Sequence, residues 1–166
     1  MKLYVNEKLF SLHNKFYVKD ESDNDVYEIS SKVISIGDKT TITDMQGNQV
    51  AYIEQEILHF MPHYNVFIGG QLTFKINKKF KLFKNDYELT NGYRIEGNLL
   101  ALDFTIYDEN NVEVGRITRK FISIGDKYEI DILDEKKLNI VLAIIVAITN
   151  DINRSQQSAA ASSASN

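Results

Sequence analysis

Near the C-terminus, nine consecutive apolar residues leave this chain few ways to fold. Residues 140–148 read IVLAIIVAI, and no polar side chain interrupts them. A helix that is apolar all round has to be surrounded by protein, whereas a helix that spans a membrane needs about 20 such residues. Asp134 can cap the start of a helix here, and Glu135 adds a negative charge to its first turn. We therefore predict a buried helix over about 135–151.

A buried central β-strand is the alternative interpretation of the same run. Isoleucine and valine favour sheets, and periodicity does not separate a short buried strand from a buried helix. The length of the run and its capped start favour the helix. A transmembrane helix is the weaker interpretation, and residues 1–10 lack the basic start and apolar run of a secretory signal.

From residue 2 to about 132, apolar and polar residues alternate in short runs, as in VYEI at 26–29 and DFTIY at 103–107. This period of two predicts β-strands. Turn residues such as GG at 69–70 and NG at 91–92 separate the runs at short intervals. Such spacing favours hairpins of an antiparallel sheet over βαβ crossovers.

One unit of sequence recurs along the chain. Asp20, Asp44 and Asp108 are each followed by Val after six residues and by Ile after nine, and the hexapeptide ISIGDK occurs at both 34–39 and 122–127. A degenerate fourth copy lies between the second and the third. Each unit holds roughly three strands, so that four units predict about a dozen. An open sheet of that size is uncommon and leaves edges that invite aggregation, so the strands must close or split into packed sheets.

These patterns predict a mainly β protein: a closed antiparallel β-barrel of about twelve strands around a central apolar C-terminal α-helix. A closed sheet of this size is wider inside than its own side chains fill, and the apolar helix fills the space. The barrel domain is predicted over 1–152. Residues 153–166 are predicted to be a disordered Ser/Ala-rich tail, because 155–166 contain no aromatic, β-branched or charged residue.

Composition excludes several classes of site. The 166 residues include no cysteine, which excludes disulfides, thiolate zinc sites, iron–sulfur clusters and a cysteine nucleophile. A content of 43% apolar and 25% charged residues is typical of one globular domain. The net charge of −4 argues against general nucleic-acid binding. We expect a cytoplasmic protein, with a peripheral position at a membrane as the alternative.

Several motifs extend over most of the chain: the Asp/Val/Ile units, YRIEG at 93–97, GDKYEI at 125–130 and the terminal apolar run. Through them, residues 10–151 resemble the LURP-one-related proteins of the tubby C-terminal-like superfamily, in their short bacterial form. The resemblance implies a twelve-stranded antiparallel barrel around a central C-terminal helix. It implies no catalytic residues, whereas tubby-like relatives bind phosphoinositide head groups through basic side chains.

The sharpest charge feature is a cluster of lysines in a segment, 57–84, that contains no acidic residue. We call these five residues the basic strip: Lys75, Lys78, Lys79, Lys81 and Lys84. The strip predicts a contact with an anionic phospholipid or a protein partner, since each surface lysine is worth ~1 kcal/mol at an anionic leaflet. The alternative is a solvated outer face of the barrel, where lysines also prevent edge pairing.

His59 and His63 form an H-x-x-x-H pair, a spacing that can indicate a metal site. On a helix this spacing would place both on one face, but Pro62 interrupts it and the context is strand and turn. No third ligand stands at a characteristic spacing, so we predict no metal. The repeated aspartates are predicted to fix turns. No P-loop, dinucleotide fingerprint or G-x-S-x-G motif occurs.

The sequence thus predicts a non-enzymatic binding or interaction module that needs no cofactor. Its first candidate contact is the basic strip, with an anionic lipid or a protein as the partner. The alternative is a carrier of a small apolar ligand, or an enzyme with its site at a barrel mouth, although the predicted helix leaves little pocket volume there.

Overall fold

Antiparallel β-strands and one long C-terminal helix build this protein. A computed structural model describes residues 1–6, 15–33, 37–57, 59–79, 86–120 and 127–163. The strands in this part of the chain are β1 (Lys2–Asn6), β2 (Lys15–Lys19), β3 (Asp25–Val33), β4 (Asp38–Asp44), β5 (Gln49–Glu56), β6 (His63–Ile68), β7 (Gln71–Lys79), β8 (Asp86–Leu89), β9 (Arg94–Asn98), β10 (Asp103–Tyr107), β11 (Glu113–Lys120) and β12 (Lys127–Ile132). The helix α1 spans Leu138–Ser163.

All twelve strands belong to one sheet, in the order β8-β7-β6-β5-β4-β3-β2-β1-β12-β11-β10-β9. Apart from β8 and β9, strands that follow each other in the chain pair with each other. The pairing of β1 with β12, where Leu3 lies opposite Ile130, joins the first strand to the last. The edge strands β8 and β9 follow each other in the chain and are in contact. The predicted twelve-stranded antiparallel barrel is confirmed, and its ring of strands is nearly closed.

The repeated aspartates explain the repeated sequence unit. The carboxylates of Asp20, Asp44 and Asp108 each accept hydrogen bonds from the backbone N–H groups two and four residues later, at 2.8–3.0 Å. Each loop joins a hairpin, namely β2–β3, β4–β5 and β10–β11. The predicted turn role of these aspartates is confirmed, because an Asx-type bond fixes the chain reversal.

The apolar run occupies the inside of the barrel. Residues 141–148 of α1 are all at most 2% exposed. Every second side chain of a strand points into the barrel toward this segment, and Ile42, Ile106 and Ile117 are fully buried examples. The helix lies so close to β11 that a side-chain carbon added at Gly115 would be 2.3 Å from Val141. The predicted buried helix is therefore present, and the buried-strand alternative is not.

The helix is longer at its C-terminal end than the sequence analysis predicted. A short 3-10 turn at Glu135–Lys137, capped by the Asp134 side chain, precedes α1. Helical structure then continues to Ser163, where the prediction had a disordered tail from residue 153. Alanine has the highest helix propensity, and an already formed helix extends without a new nucleation step, which accounts for the difference. Residues 164–166 lie outside the described part of the tail.

Helix α1 and its preceding turn, Glu135–Ser163, would be long and apolar enough to cross a membrane by length and composition alone. However, 61% of the most apolar window is buried inside the protein. The core helix of a barrel meets the same criteria, and in this structure the strands already surround the apolar segment.

Because Ile144 on α1 is fully buried, we expect a charged side chain at this position to destabilise the folded protein severely. In Ile144→Asp an unpaired carboxylate would lie among apolar side chains, which costs several kcal/mol. We expect this variant to lose the cooperative thermal unfolding transition measured by circular dichroism. Ala160→Asp is the matched control, because Ala160 lies on an exposed turn of the same helix. An Ile144→Asp protein that melts like the wild type would contradict the buried position of α1.

Candidate functional site

The structure describes three of the five lysines of the basic strip, all on β7: Lys75, Lys78 and Lys79. The predicted contacts Lys81 and Lys84 lie outside the described residues. The side chains of Lys75 and Lys79 are 41% and 49% exposed on the outer face of the barrel. Each has an acidic partner: Lys75 Nζ lies 2.7 Å from Glu56 Oε1, and Lys79 pairs with Glu88.

Lys78 does not belong to the outer face. Its side chain is only 10% exposed, because β7 continues in regular alternation and Phe74, Ile76 and Lys78 all point inward. The prediction of Lys78 as part of a surface contact therefore needs correction. Its ammonium group lies 2.6 Å from Asp151 Oδ2, so that a buried ion pair joins β7 to α1.

Asp151 is the centre of a buried polar cluster. Besides the bond from Lys78, its carboxylate accepts hydrogen bonds from Tyr64 at 2.7 Å and from Tyr87 at 2.6 Å. These partners come from β6, β7 and β8, so three neighbouring strands hold one helix residue. Burial and the nearby carboxylate raise the pKa of both tyrosine hydroxyls far above the ordinary value, which keeps them protonated as donors.

A shallow recess lies beside this cluster, where α1 leaves the barrel. Its volume is about 460 Å³, and its lining is largely polar: Gln55, Pro62, Tyr64, Asp151, Arg154, Ser155, Gln157 and Ser158. Arg154 forms an ion pair with Asp38 and donates a hydrogen bond to Gln55 at 3.1 Å. Burial raises the pKa of the Asp38 carboxyl, while Arg154 opposes that shift. The side chains around the recess thus largely bond to one another.

A second recess of about 500 Å³ lies at the other end of the barrel, near Asn139. The turns that carry Asp25 and Asp44 contribute to its lining. Neither recess is lined by the apolar residues 141–148. Both are therefore surface depressions at the barrel ends, outside the helix-filled interior.

The β5–β6 connection brings together three potential metal ligands that the sequence analysis did not combine. Glu56 ends β5, His63 begins β6, and the two lie opposite each other in the ladder. His59 lies between them, with its Nε2 atom 2.9 Å from Glu56 Oε2 and its ring stacked on that of His63 at 4.1 Å between centroids. The ligand atoms of all three residues lie within 4.8 Å of one another.

The protonation states in this cluster follow from its contacts. The hydrogen bond from Lys75 holds the pKa of the Glu56 carboxyl below its ordinary value, so this group is ionised at neutral pH. Partial burial, together with the neighbouring His59, lowers the pKa of His63 and favours the neutral imidazole. The prediction of no metal rested on the absence of a third ligand at a characteristic spacing. The structure places the Glu56 carboxylate, a third potential ligand, beside the two imidazoles, and the prediction itself stays untested. The spacing E-x-x-H-x-x-x-H was the signal that could have indicated this cluster.

The same connection carries exposed apolar side chains. Phe60 is 95% exposed and Ile57 is 55% exposed, although both are apolar. They flank His59, whose bond to Glu56 connects the loop to Lys75. Exposed apolar side chains and ionisable histidines therefore lie on the same connection as Glu56, which pairs with Lys75. The sequence analysis did not identify the apolar part of this connection.

The buried Lys78–Asp151 pair predicts that Lys78 contributes more to the free energy of unfolding than Lys75, which lies on the same strand. Lys78→Met leaves the buried Asp151 carboxylate without its cation, and we expect a loss of about 3–5 kcal/mol in the free energy of unfolding. Lys75→Met is the control, because its pair with Glu56 lies at the surface, where the lysine is 41% and the glutamate 21% exposed, and such a pair is worth ~1 kcal/mol. Urea unfolding followed by circular dichroism measures both. Equal stabilities of the two variants would contradict the structural role of Lys78.

Comparisons with known proteins agree with this architecture. The model of the family described as LURP-one-related matches residues 1–149. The uncharacterized protein YxjI of Bacillus subtilis is 27% identical over 149 residues, which cover 89% of this chain and 91% of that protein. An X-ray structure of an Arabidopsis thaliana protein superposes with a TM-score of 0.60 at 19% identity, covering 92% of this chain and 90% of the other. At that identity the likeness concerns the fold, and neither the family description nor these names state an activity.

Proposed function

The chain belongs to the LURP-one-related family, and on that premise we propose that it is a non-enzymatic binding module that contacts anionic phospholipid surfaces. The contact surface lies on the outside of the barrel, at the end of β5, β6 and β7. We define it by four exposed residues, Ile57, Phe60, Lys75 and Lys79, and call it the loop face.

The exposure of Phe60 is the observation that carries this proposal. A phenylalanine that is 95% exposed on a loop leaves almost its whole ring in water. Aromatic and aliphatic side chains beside lysines are the usual combination at a membrane surface, where the apolar groups enter the boundary between head groups and acyl chains. Ile57 on the same loop adds a second apolar group. The loop face therefore has both the apolar and the cationic part of such a contact.

The ion pairs of Lys75 and Lys79 are compatible with a phosphate contact. The Lys79–Glu88 pair is exposed and the Lys75–Glu56 pair lies at the surface with the glutamate partly buried, and pairs of this kind contribute only ~0–1 kcal/mol. A lysine near an anionic leaflet gains about the same free energy, so that exchange of a carboxylate for a lipid phosphate is feasible. The resulting attraction is screened by salt over about 10 Å at 0.1 M. We expect weak binding that depends on anionic lipid and on ionic strength.

The filled interior supports a surface contact over a carrier function. A carrier of a small apolar ligand needs an apolar cavity, whereas residues 141–148 of α1 occupy the inside of the barrel. The recess beside Asp151 is an open surface depression and not an enclosed apolar cavity. The Asp151 carboxylate itself is committed to Lys78, Tyr64 and Tyr87, a set of bonds suited to holding α1 in place.

Vesicle flotation tests the lipid contact. We expect the wild-type chain to float with phosphatidylcholine vesicles that contain phosphatidylserine and not with phosphatidylcholine alone. The variant Lys75→Glu/Lys79→Glu/Lys81→Glu reverses both lysines of the loop face and a third lysine of the basic strip. It should bind at least about 100-fold more weakly, since each lysine is worth ~1 kcal/mol. Phe60→Ser should also weaken flotation, without any change of charge.

The matched control is Lys2→Glu/Lys15→Glu/Lys120→Glu. It changes the net charge by the same amount, at three exposed lysines that likewise pair with acidic residues on other strands. This control should float like the wild type. Equal flotation of both triple variants, or no flotation of the wild type, would contradict the proposed lipid contact.

A further inference from the structure

We propose that Glu56, His59 and His63 form a binding site for a divalent transition metal, with zinc as the preferred ion. The site lies beside the loop face but does not depend on lipid binding. Its donors are one carboxylate oxygen and two imidazole nitrogens, which the β5–β6 connection places on the outside of the barrel.

The distances between the ligand atoms suit a small coordination sphere. All three residues offer atoms within 4.8 Å of one another. Around a tetrahedral zinc ion with bonds of ~2.0–2.1 Å, ligand atoms are separated by roughly 3.4 Å. His59 Nε2 and Glu56 Oε2 are already 2.9 Å apart. Side-chain rotations alone can therefore bring the three donors to a common ion, without a change in the strand pairing.

Two of the three ligands are held by the sheet. Glu56 and His63 form a cross-strand pair at the end of the β5–β6 ladder, so that their Cβ atoms are ~5 Å apart on the same face. Only His59 comes from the connecting loop. Sites on strands are positioned more accurately than sites on loops, and here the loop has to bring a single ligand to a pair that is already formed.

Lys75 orients the carboxylate ligand. Its ammonium group donates to Glu56 Oε1 at 2.7 Å, whereas Glu56 Oε2 faces His59. A hydrogen bond to the second oxygen of a ligating carboxylate is a common outer-shell feature of metal sites. The positive charge of Lys75 reduces the attraction of a cation, and we expect moderate rather than very tight affinity for that reason.

The donor types determine which metal fits. Imidazole nitrogen suits zinc, copper and nickel, whereas magnesium and calcium prefer sites made of oxygen alone. Two histidines and one glutamate match the ligand set of open zinc sites, in which water takes the fourth position. The structure assigns this cluster to metal binding, and it assigns no reaction to it.

Calorimetric titration of the untagged, metal-free chain with zinc chloride tests the proposal. We expect one zinc ion per chain, and no comparable signal with magnesium chloride. His63→Ala and Glu56→Gln should each weaken zinc binding by at least ~100-fold, because loss of an outer-shell partner alone costs 10–100-fold. Titration with cobalt supplies a second readout, because the visible absorption of bound cobalt reports the coordination geometry. We expect this absorption in the wild type and its loss in the two variants.

Glu88→Gln is the matched control. Like Glu56, Glu88 is an outward-facing carboxylate that pairs with a lysine of β7, but it is not part of the cluster. This variant should bind zinc like the wild type, and circular dichroism should show that all variants are folded. Absence of zinc binding by the wild type, or undiminished binding by folded His63→Ala and Glu56→Gln, would overturn the proposal.

Discussion

Enclosure of the apolar segment of α1 is the interaction on which the rest of this structure depends. Residues 141–148 have no polar side chain and need protein on every side. A sheet of twelve strands provides that enclosure, and most strands alternate because one of their faces meets the helix while the other meets solvent. The helix in turn fills an interior that the strand side chains alone would leave open.

Charged groups hold the helix on both sides of its apolar segment. Before α1, Lys137 Nζ lies 2.6 Å from Asp108 Oδ2, a carboxylate that also closes the β10–β11 turn. Further along the helix, the Asp151 carboxylate accepts hydrogen bonds from the Lys78 ammonium group and from two tyrosine hydroxyls. Apolar packing is not directional, whereas these bonds specify how far the helix is inserted and how it is rotated. We infer that they select one register from the many that an all-apolar helix permits.

Because α1 fills the interior of the barrel, we expect binding sites on its outer surface. Two surface recesses lie at the barrel ends, and the β5–β6 connection carries Phe60, the most exposed large apolar side chain of the described residues, next to ionisable groups. Hairpin connections tolerate such residues because few core contacts depend on them. The lipid contact and the metal site proposed above both use this connection, although they rest on different side chains: the apolar Phe60 and the ligating His63.

The sequence predicted the fold far better than the candidate site, for physical reasons. Periodicity, repeated Asp turns and one apolar run are local signals, and together they specify strands, hairpins and the central helix. Lys78 was placed outside because its charge was given more weight than its position two residues after Ile76. Glu56 was overlooked because its approach to His63 depends on the β5–β6 register. Residues 153–163 were expected to be disordered because they bury little apolar surface, whereas extension of the helix predicted just before them needs no new nucleation step.

Native-state amide hydrogen exchange tests the enclosure of α1 most directly. If the strands surround the helix, the amides of residues 141–148 exchange only through global unfolding and are among the slowest in the protein. The amides of the exposed residues 156–163 of the same helix should exchange many times faster. Rapid exchange at 141–148, at rates like those of the exposed end, would contradict the account.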